Sequence, residues 1–188
     1  SEEVETISVV DALRRANIKV TLAVVGQNLQ VKCSRGVHLL GDSLLVDCNS
    51  DSFDAVVLPG GLGGAQAFRD SNNVKEIVTN FLSANKLVAA ICASPAVVLA
   101  HHNLLGDRKA TCYPAFLDKL PNAVPDRVVV DGNLITSQGP ATSLEFAGAI
   151  IQYLTNESES TKVMKAMLVN GQFAYNSSKV QRINQNLQ

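Results

Sequence analysis

The feature that most constrains this chain is the stretch Leu87-Val-Ala-Ala-Ile-Cys92-Ala-Ser-Pro-Ala-Val-Val-Leu99. An apolar run of strand length stops at Cys92, and residues that start helices follow at once. Ser94 suits an N-cap, and Pro95 suits the first helical turn, where its missing N–H is harmless. The pattern predicts a sharp strand-to-helix bend with Cys92 at the carboxyl edge of a sheet, beside the positive end of a helix. That place is expected to lower the thiol's pKa and to present the sulfur as a nucleophile. The competing reading is a small buried hydrophobe at a strand end, a common role for free cysteine.

The 188 residues suffice for one domain with a real core and no staples. With 46% hydrophobic residues and a net charge of −1, the chain lacks the basic surplus of a nucleic-acid or membrane-surface protein. No apolar run reaches membrane-spanning length, and no signal peptide is read at the start. Cys33, Cys48, Cys92 and Cys112 are scattered, without a C-x-x-C pair or a histidine cluster. Neither a disulfide framework nor a metal or other cofactor is expected, and the reading is a reducing, cytoplasmic compartment.

Along the chain, Ser1 to Asn17 reads as a helix with acids at its start, Arg14 and Arg15 at its end, and an apolar face of Val9, Ala12, Leu13 and Ala16. Ile18 to Val25 reads as a strand, and Leu29–Cys33 with Val37–Leu40 as a hairpin. Ser52 to Gly61 is a strand entering the glycine-rich run Gly60-Gly61-Leu62-Gly63-Gly64. The run lacks the spacing and the lysine of a nucleotide loop, but its backbone N–H groups can approach a ligand or an oxyanion closely. Val74, Ile77, Val78, Phe81 and Leu82 recur at helical spacing. A helix runs from the elbow to His101-His102, and Lys109–Tyr113 reads as a short strand. Arg127–Val130 and Asn133–Thr136 flank an Asp131-Gly132 turn, and Thr142-Ser-Leu-Glu145 has the form of a capping box. Two last helices carry Leu144, Ala147, Ile151 and Leu154, then Val163, Ala166 and Met167. Alternating strands and helices predict one α/β domain over residues 1–169, with a polar tail at 170–188.

Several motifs together resemble the DJ-one/ThiJ/PfpI superfamily: Ala90-Ile-Cys92-Ala-Ser-Pro95, Val57-Leu-Pro-Gly-Gly61 with Gly64-Ala-Gln66, and Thr136-Ser-Gln-Gly-Pro140. Glu2-Glu-Val-Glu-Thr6, Asp11-Ala-Leu-Arg-Arg15 and Val31-Lys-Cys-Ser-Arg35 are similar to its DJ-one (Parkinsonism-associated deglycase) branch, with ordered matches from Glu2 to about Leu168. The resemblance implies a flavodoxin-like three-layer α/β/α sandwich with a mostly parallel sheet and small β-hairpins, assembled as a homodimer. It implies Cys92 as the reactive thiol and Glu5 as the acid touching it. Gly60, Gly61 and Ala93 match the backbone around an oxyanion pocket, Arg35 and Tyr113 match residues near the substrate, Arg15 the dimer interface, and Pro140 a proline reaching the site across the dimer. Two departures are plain. The family's first strand, which would lie inside the sheet, is missing before Ser1, as if cleaved or supplied separately. Tyr113 stands where many members carry histidine, which removes the base of a Cys-His protease.

Without that histidine, a protonated Glu5 would hydrogen-bond an ionised Cys92 and carry protons for it. Such a pair suits a cofactor-independent glyoxalase: the thiolate adds to the aldehyde of methylglyoxal or glyoxal, Glu5 shuttles a proton between the two carbons, and water releases the 2-hydroxy acid. Attack on early glycation adducts of protein or nucleotide would be the deglycase variant. The rival is a redox-sensing stress chaperone whose Cys92 becomes sulfinic acid. An amidotransferase-like hydrolase would need a downstream His-x-Glu pair, and none follows Cys92. Of the other thiols, Cys112 is the candidate for regulation.

Overall fold

The structure, a computed structural model, describes residues 1–169; the tail read at 170–188 lies outside the described residues. Helix α1, Glu3–Arg15, starts at Glu2, whose carboxylate accepts the Glu5 N–H at 2.8 Å. Strands β1 (Ala23–Val24), β2 (Gln30–Lys32), β3 (His38–Leu40) and β4 (Ser43–Leu44) follow. β2 and β3 form the expected antiparallel hairpin, whose turn is tied to α1 because the Glu3 carboxylate accepts the Arg35 N–H at 2.9 Å. Next come β5 (Ala55–Leu58), α2 (Leu62–Asp70), α3 (Asn72–Ser83) and β6 (Leu87–Ile91). The order closes with β7 (Val128–Asp131), β8 (Leu134–Ser137), α4 (Ser143–Leu154) and α5 (Glu157–Ala166).

The main sheet has the order β5-β6-β8-β7, parallel except for the antiparallel β7–β8 hairpin, where Gly132 takes φ +64° in the turn. β6 lies in its middle and is fully buried, as its unbroken apolar run requires. Its side chains alternate between two cores. Leu87, Ala89 and Ile91 face α1, α4 and α5 with Val9, Leu13, Phe146 and Ile150; Val88 and Ala90 face α2 and α3 with Val78, Phe81 and Leu99. The expected mixed α/β sandwich is therefore present, with helices on both faces. Phe146, at 0% exposure, is among the largest fully buried side chains. Phe146→Ala is expected to cost about 3–5 kcal/mol, read as a lower denaturant midpoint with an unchanged slope.

Four local expectations are corrected. Of Ile18–Val25 only Ala23–Val24 is in a ladder, because a neighbour (β4) lies on one side alone. Lys109–Tyr113 makes one bridge, Ala110 with Ala123, since its other N–H groups find single partners: Thr111 N–H donates to Thr136 Oγ1 and Tyr113 N–H to the Cys92 carbonyl. Thr142-Ser-Leu-Glu145 is not a capping box for α4: Thr142 Oγ1 bonds Gly139 and Ser137, and Glu145 pairs with Arg127. The glycine-rich run, expected as a turn after the strand, instead opens α2, with Gly61 as its cap at φ +76°.

Candidate active site

Cys92 stands at φ +64°, a left-handed conformation that costs a non-glycine residue energy and recurs at functional sites. It is held on both sides: its N–H donates to the Ser137 carbonyl at 2.9 Å, and its carbonyl accepts from Tyr113 N–H at 2.8 Å. The predicted bend is thus real, but Ser94 is not its cap. Ser94 has helical φ and ψ, and its buried hydroxyl donates to the Pro59 carbonyl at 2.6 Å. This bond ties the elbow to the turn after β5, a role hidden in the sequence because Ser-Pro also reads as a helix start. Ser94→Ala is expected to cost about 1 kcal/mol in a denaturant titration.

Glu5 comes to the sulfur from the first turn of α1. The side chain is fully buried; Oε2 accepts the Gly60 N–H at 2.7 Å, while Oε1 has no partner of ordinary geometry. The carboxyl and the Cys92 thiol lie in hydrogen-bonding reach of each other. Burial raises Glu5 above its ordinary value, against the lowering pull of the thiol and the Gly60 N–H. Burial, followed by the Glu5 charge, pushes the Cys92 thiol up to about 12. The expected lowering by a helix terminus is thereby corrected: the helical segment is only Pro95–Ala100, and desolvation outweighs the Gly61 and Ala93 N–H groups directed at the sulfur. The thiol therefore keeps its proton near neutral pH, which corrects the expectation of an ionised Cys92 beside a protonated Glu5.

The backbone N–H groups of Gly61 and Ala93 are directed at the sulfur. Gly60 differs, since its N–H is committed to Glu5. A methyl at Gly60 would lie 2.5 Å from Cys92 Cβ and 2.7 Å from Glu5 Oε2, so only glycine admits this approach. Tyr113, 45% exposed, and the exposed residues Arg35 and Pro140 line the same cavity as Cys92 and Glu5. Pro140 does so within one chain, where the resemblance implied a reach across a dimer. Arg15 is remote from the sulfur and pairs with Asp11 at 2.9 Å on the exposed face of α1. None of the three histidines lines the cavity. Cys112 is buried and is raised to about 12 by burial first and the neighbouring Cys92 second; Cys33 is buried and Cys48 half-buried, all as free thiols. Among the described residues no cluster of three metal-ligating side chains occurs, and no helix is long and apolar enough to cross a membrane.

Comparison with known proteins agrees with this geometry. "Protein dj-1beta" of Drosophila melanogaster is 46% identical over 180 residues, covering 94% of each chain. "Protein DJ-1 homolog B" of Arabidopsis thaliana is 46% identical over 171 residues, 90% of this chain but 39% of that protein, so the chain spans well under half of that relative. "Glutathione-independent glyoxalase DJR-1.2" of Caenorhabditis elegans is 31% identical over 172 residues, 89% of this chain and 90% of that one. Among solved structures, Drosophila melanogaster DJ-1beta superposes with a TM-score of 0.87 at 45% identity, covering 91% and 94% of the two chains. Oxidised Toxoplasma gondii DJ-1 does so with a TM-score of 0.87 at 39% identity, covering 93% and 94%. Residues 1–153 match the DJ-1/PfpI family, and with its buried acid against a strained elbow cysteine the chain belongs to that family.

Proposed function

We propose that the chain is a cofactor-independent glyoxalase acting on methylglyoxal or glyoxal. The observation that carries this reading is the Glu5 carboxyl, buried against the Cys92 thiol with one oxygen otherwise unpartnered. A thiol raised to about 12 is a poor resting nucleophile, so a base must take its proton as it attacks. Glu5 is the group in reach, and its own raised pKa brings it nearer the working pH of a general base.

Cys92 Sγ bonds the aldehyde carbon of methylglyoxal while Glu5 accepts the thiol proton and passes it to the carbonyl oxygen, giving a hemithioacetal. Glu5 then removes the proton from that carbon to give an enediolate, the hydroxyl proton passes from the former aldehyde oxygen to the former ketone oxygen, and Glu5 returns a proton to the former ketone carbon, leaving a thioester of lactate. Water cleaves the thioester, releasing lactate and returning the proton to sulfur; the sum is methylglyoxal plus water to lactate. The Gly61 and Ala93 N–H groups face the oxyanion side, and Arg35 and Tyr113 border the entry. The glyoxalase name of the Caenorhabditis elegans relative supports the same chemistry. A homodimer belongs to this reading: exposed Val4 and Ile7 share one stripe of α1 with Asp11 and Arg15, the stripe a second copy would cover.

The test is lactate formation from methylglyoxal in D2O. Solvent deuterium on the lactate α-carbon, with turnover lost in Cys92→Ala, is the expected result. Turnover surviving Cys92→Ala removes the thiol mechanism. No turnover by the native chain, with rapid oxidation of Cys92 by peroxide, favours the redox-sensor reading instead.

A further inference from the structure

We infer that Glu2 is a positioning residue for the reaction: it closes a ring of hydrogen bonds that holds the Glu5 carboxyl against Cys92, and it places a second carboxylate one helical turn before the base. Its weight in turnover rests on the glyoxalase reading, whereas its hold on Glu5 does not.

The ring runs through Glu2, Gly60 and Glu5. Glu2 N–H donates to the Gly60 carbonyl at 3.0 Å, Gly60 N–H donates to Glu5 Oε2 at 2.7 Å, and Glu5 N–H donates to Glu2 Oε2 at 2.8 Å. Each residue gives one bond and takes one. The side chain that meets the thiol is thereby fixed at both ends, its carboxyl by the turn after β5 and its backbone by Glu2. Thr6 fastens the ring to α1, since its N–H and its hydroxyl both donate to the Glu2 carbonyl, at 3.1 Å and 2.8 Å. Glu2 is itself buried and lines the same cavity as Glu5 and Cys92.

Capping alone does not call for this residue. The side chains preferred at an N-cap are the short ones of Ser, Thr, Asp and Asn, and burying a carboxylate is costly. What an acid adds over a neutral cap is a negative charge close to Glu5, which disfavours ionisation of the base. The other ionisable groups acting on Glu5 are the Cys92 thiol, from the elbow, and the Ser1 amino group, and both act in the opposite sense. Glu3 turns to the hairpin, where its carboxylate accepts the Arg35 and Val37 N–H groups. On α4, Glu145 pairs with Arg127. Arg35 lines the cavity from the hairpin side.

The test compares the native chain with Glu2→Gln, Glu2→Asp and Glu2→Ala. The Glu5 carboxyl is titrated by NMR with isotope-labelled glutamate, its signal assigned as the one lost in Glu5→Gln, and the pH profile of kcat/KM for methylglyoxal is measured beside it. Glu2→Gln keeps an oxygen for the Glu5 N–H but removes the charge, so the Glu5 titration and the acid limb of the profile should both move to lower pH. Glu2→Asp keeps cap and charge and is expected to hold both where the native chain has them. Glu2→Ala loses both, and kcat is expected to fall about 10-fold with KM little changed, as the carboxyl loosens from the sulfur. A Glu5 titration that stays in place in Glu2→Gln overturns the proposal, whether or not Glu2→Ala folds. So does a Glu2→Ala protein that loses thermal stability while its kcat and Glu5 titration remain native. No turnover by the native chain removes the glyoxalase reading, and the Glu5 titration then decides the role of Glu2 by itself.

Discussion

Replacing Glu5 by glutamine is expected to lower kcat for methylglyoxal by about 10²–10⁴-fold while making the protein more stable at neutral pH. Glutamine keeps the shape and can still accept the Gly60 N–H, but it cannot take the proton of a thiol raised to about 12. The stability change follows from the upward shift of Glu5. Below the ordinary value of 4.5 both folded and unfolded chains carry the proton, and this carboxyl costs nothing. As pH rises past 4.5 the unfolded chain releases its proton first, so stability drains until the raised folded value is reached. The loss then persists at neutral pH. Glu5→Gln removes it, so denaturant midpoints of the two proteins should converge below pH 4.5 and separate above it, the variant higher. A variant less stable at pH 7 would show that the carboxylate is held by more than its burial allows. On the glyoxalase reading, kcat/KM of the native chain should fall on the acid side at a pH above 4.5, where Glu5 gains its proton and the thiol has no base.

Gly60→Ala is expected to damage both fold and chemistry. The added methyl would stand 2.5 Å from Cys92 Cβ, 2.7 Å from Glu5 Oε2 and 3.0 Å from Cys92 Sγ, distances that force a shift. None of these neighbours yields cheaply: Cys92 is pinned through its N–H and carbonyl, and Glu5 is fully buried. Overpacking of this kind costs about 1–3 kcal/mol. Moving the carboxyl away from the sulfur by an ångström should cost about 10²-fold in kcat. Thermal denaturation with steady-state kinetics checks both, and unchanged kcat with a lowered melting temperature would separate packing from catalysis.

Much of the fold was legible because it rests on local pattern. β6 reads as an apolar run, and alternation along it divides the two cores. α1 and α3 follow from their periodicity, with the Ser71 hydroxyl accepting the Val74 N–H to start α3. The shortfalls lie where a residue type serves two purposes. Thr142 and Glu145 have the spacing of a capping box, yet Arg127, from the strand hairpin, claims the carboxylate. Ser94 has the form of an N-cap, yet a carbonyl from the turn after β5 takes its hydroxyl.

The site divides along the same line. A cysteine at a strand end followed by Ser-Pro determines a bend by itself, because backbone sterics and helix-start chemistry act over a few residues. The family motifs likewise point to Glu5 without coordinates. What the thiol does there was decided only by the tertiary structure. Its pKa depends on how much water the packed elements exclude and on a carboxylate brought from α1, and these two reverse the direction a helix terminus alone would give. The shortness of β1 is of the same kind. Ile18–Val25 has the composition of a strand, but a ladder needs partners on its edges, and partners are a property of the assembled sheet.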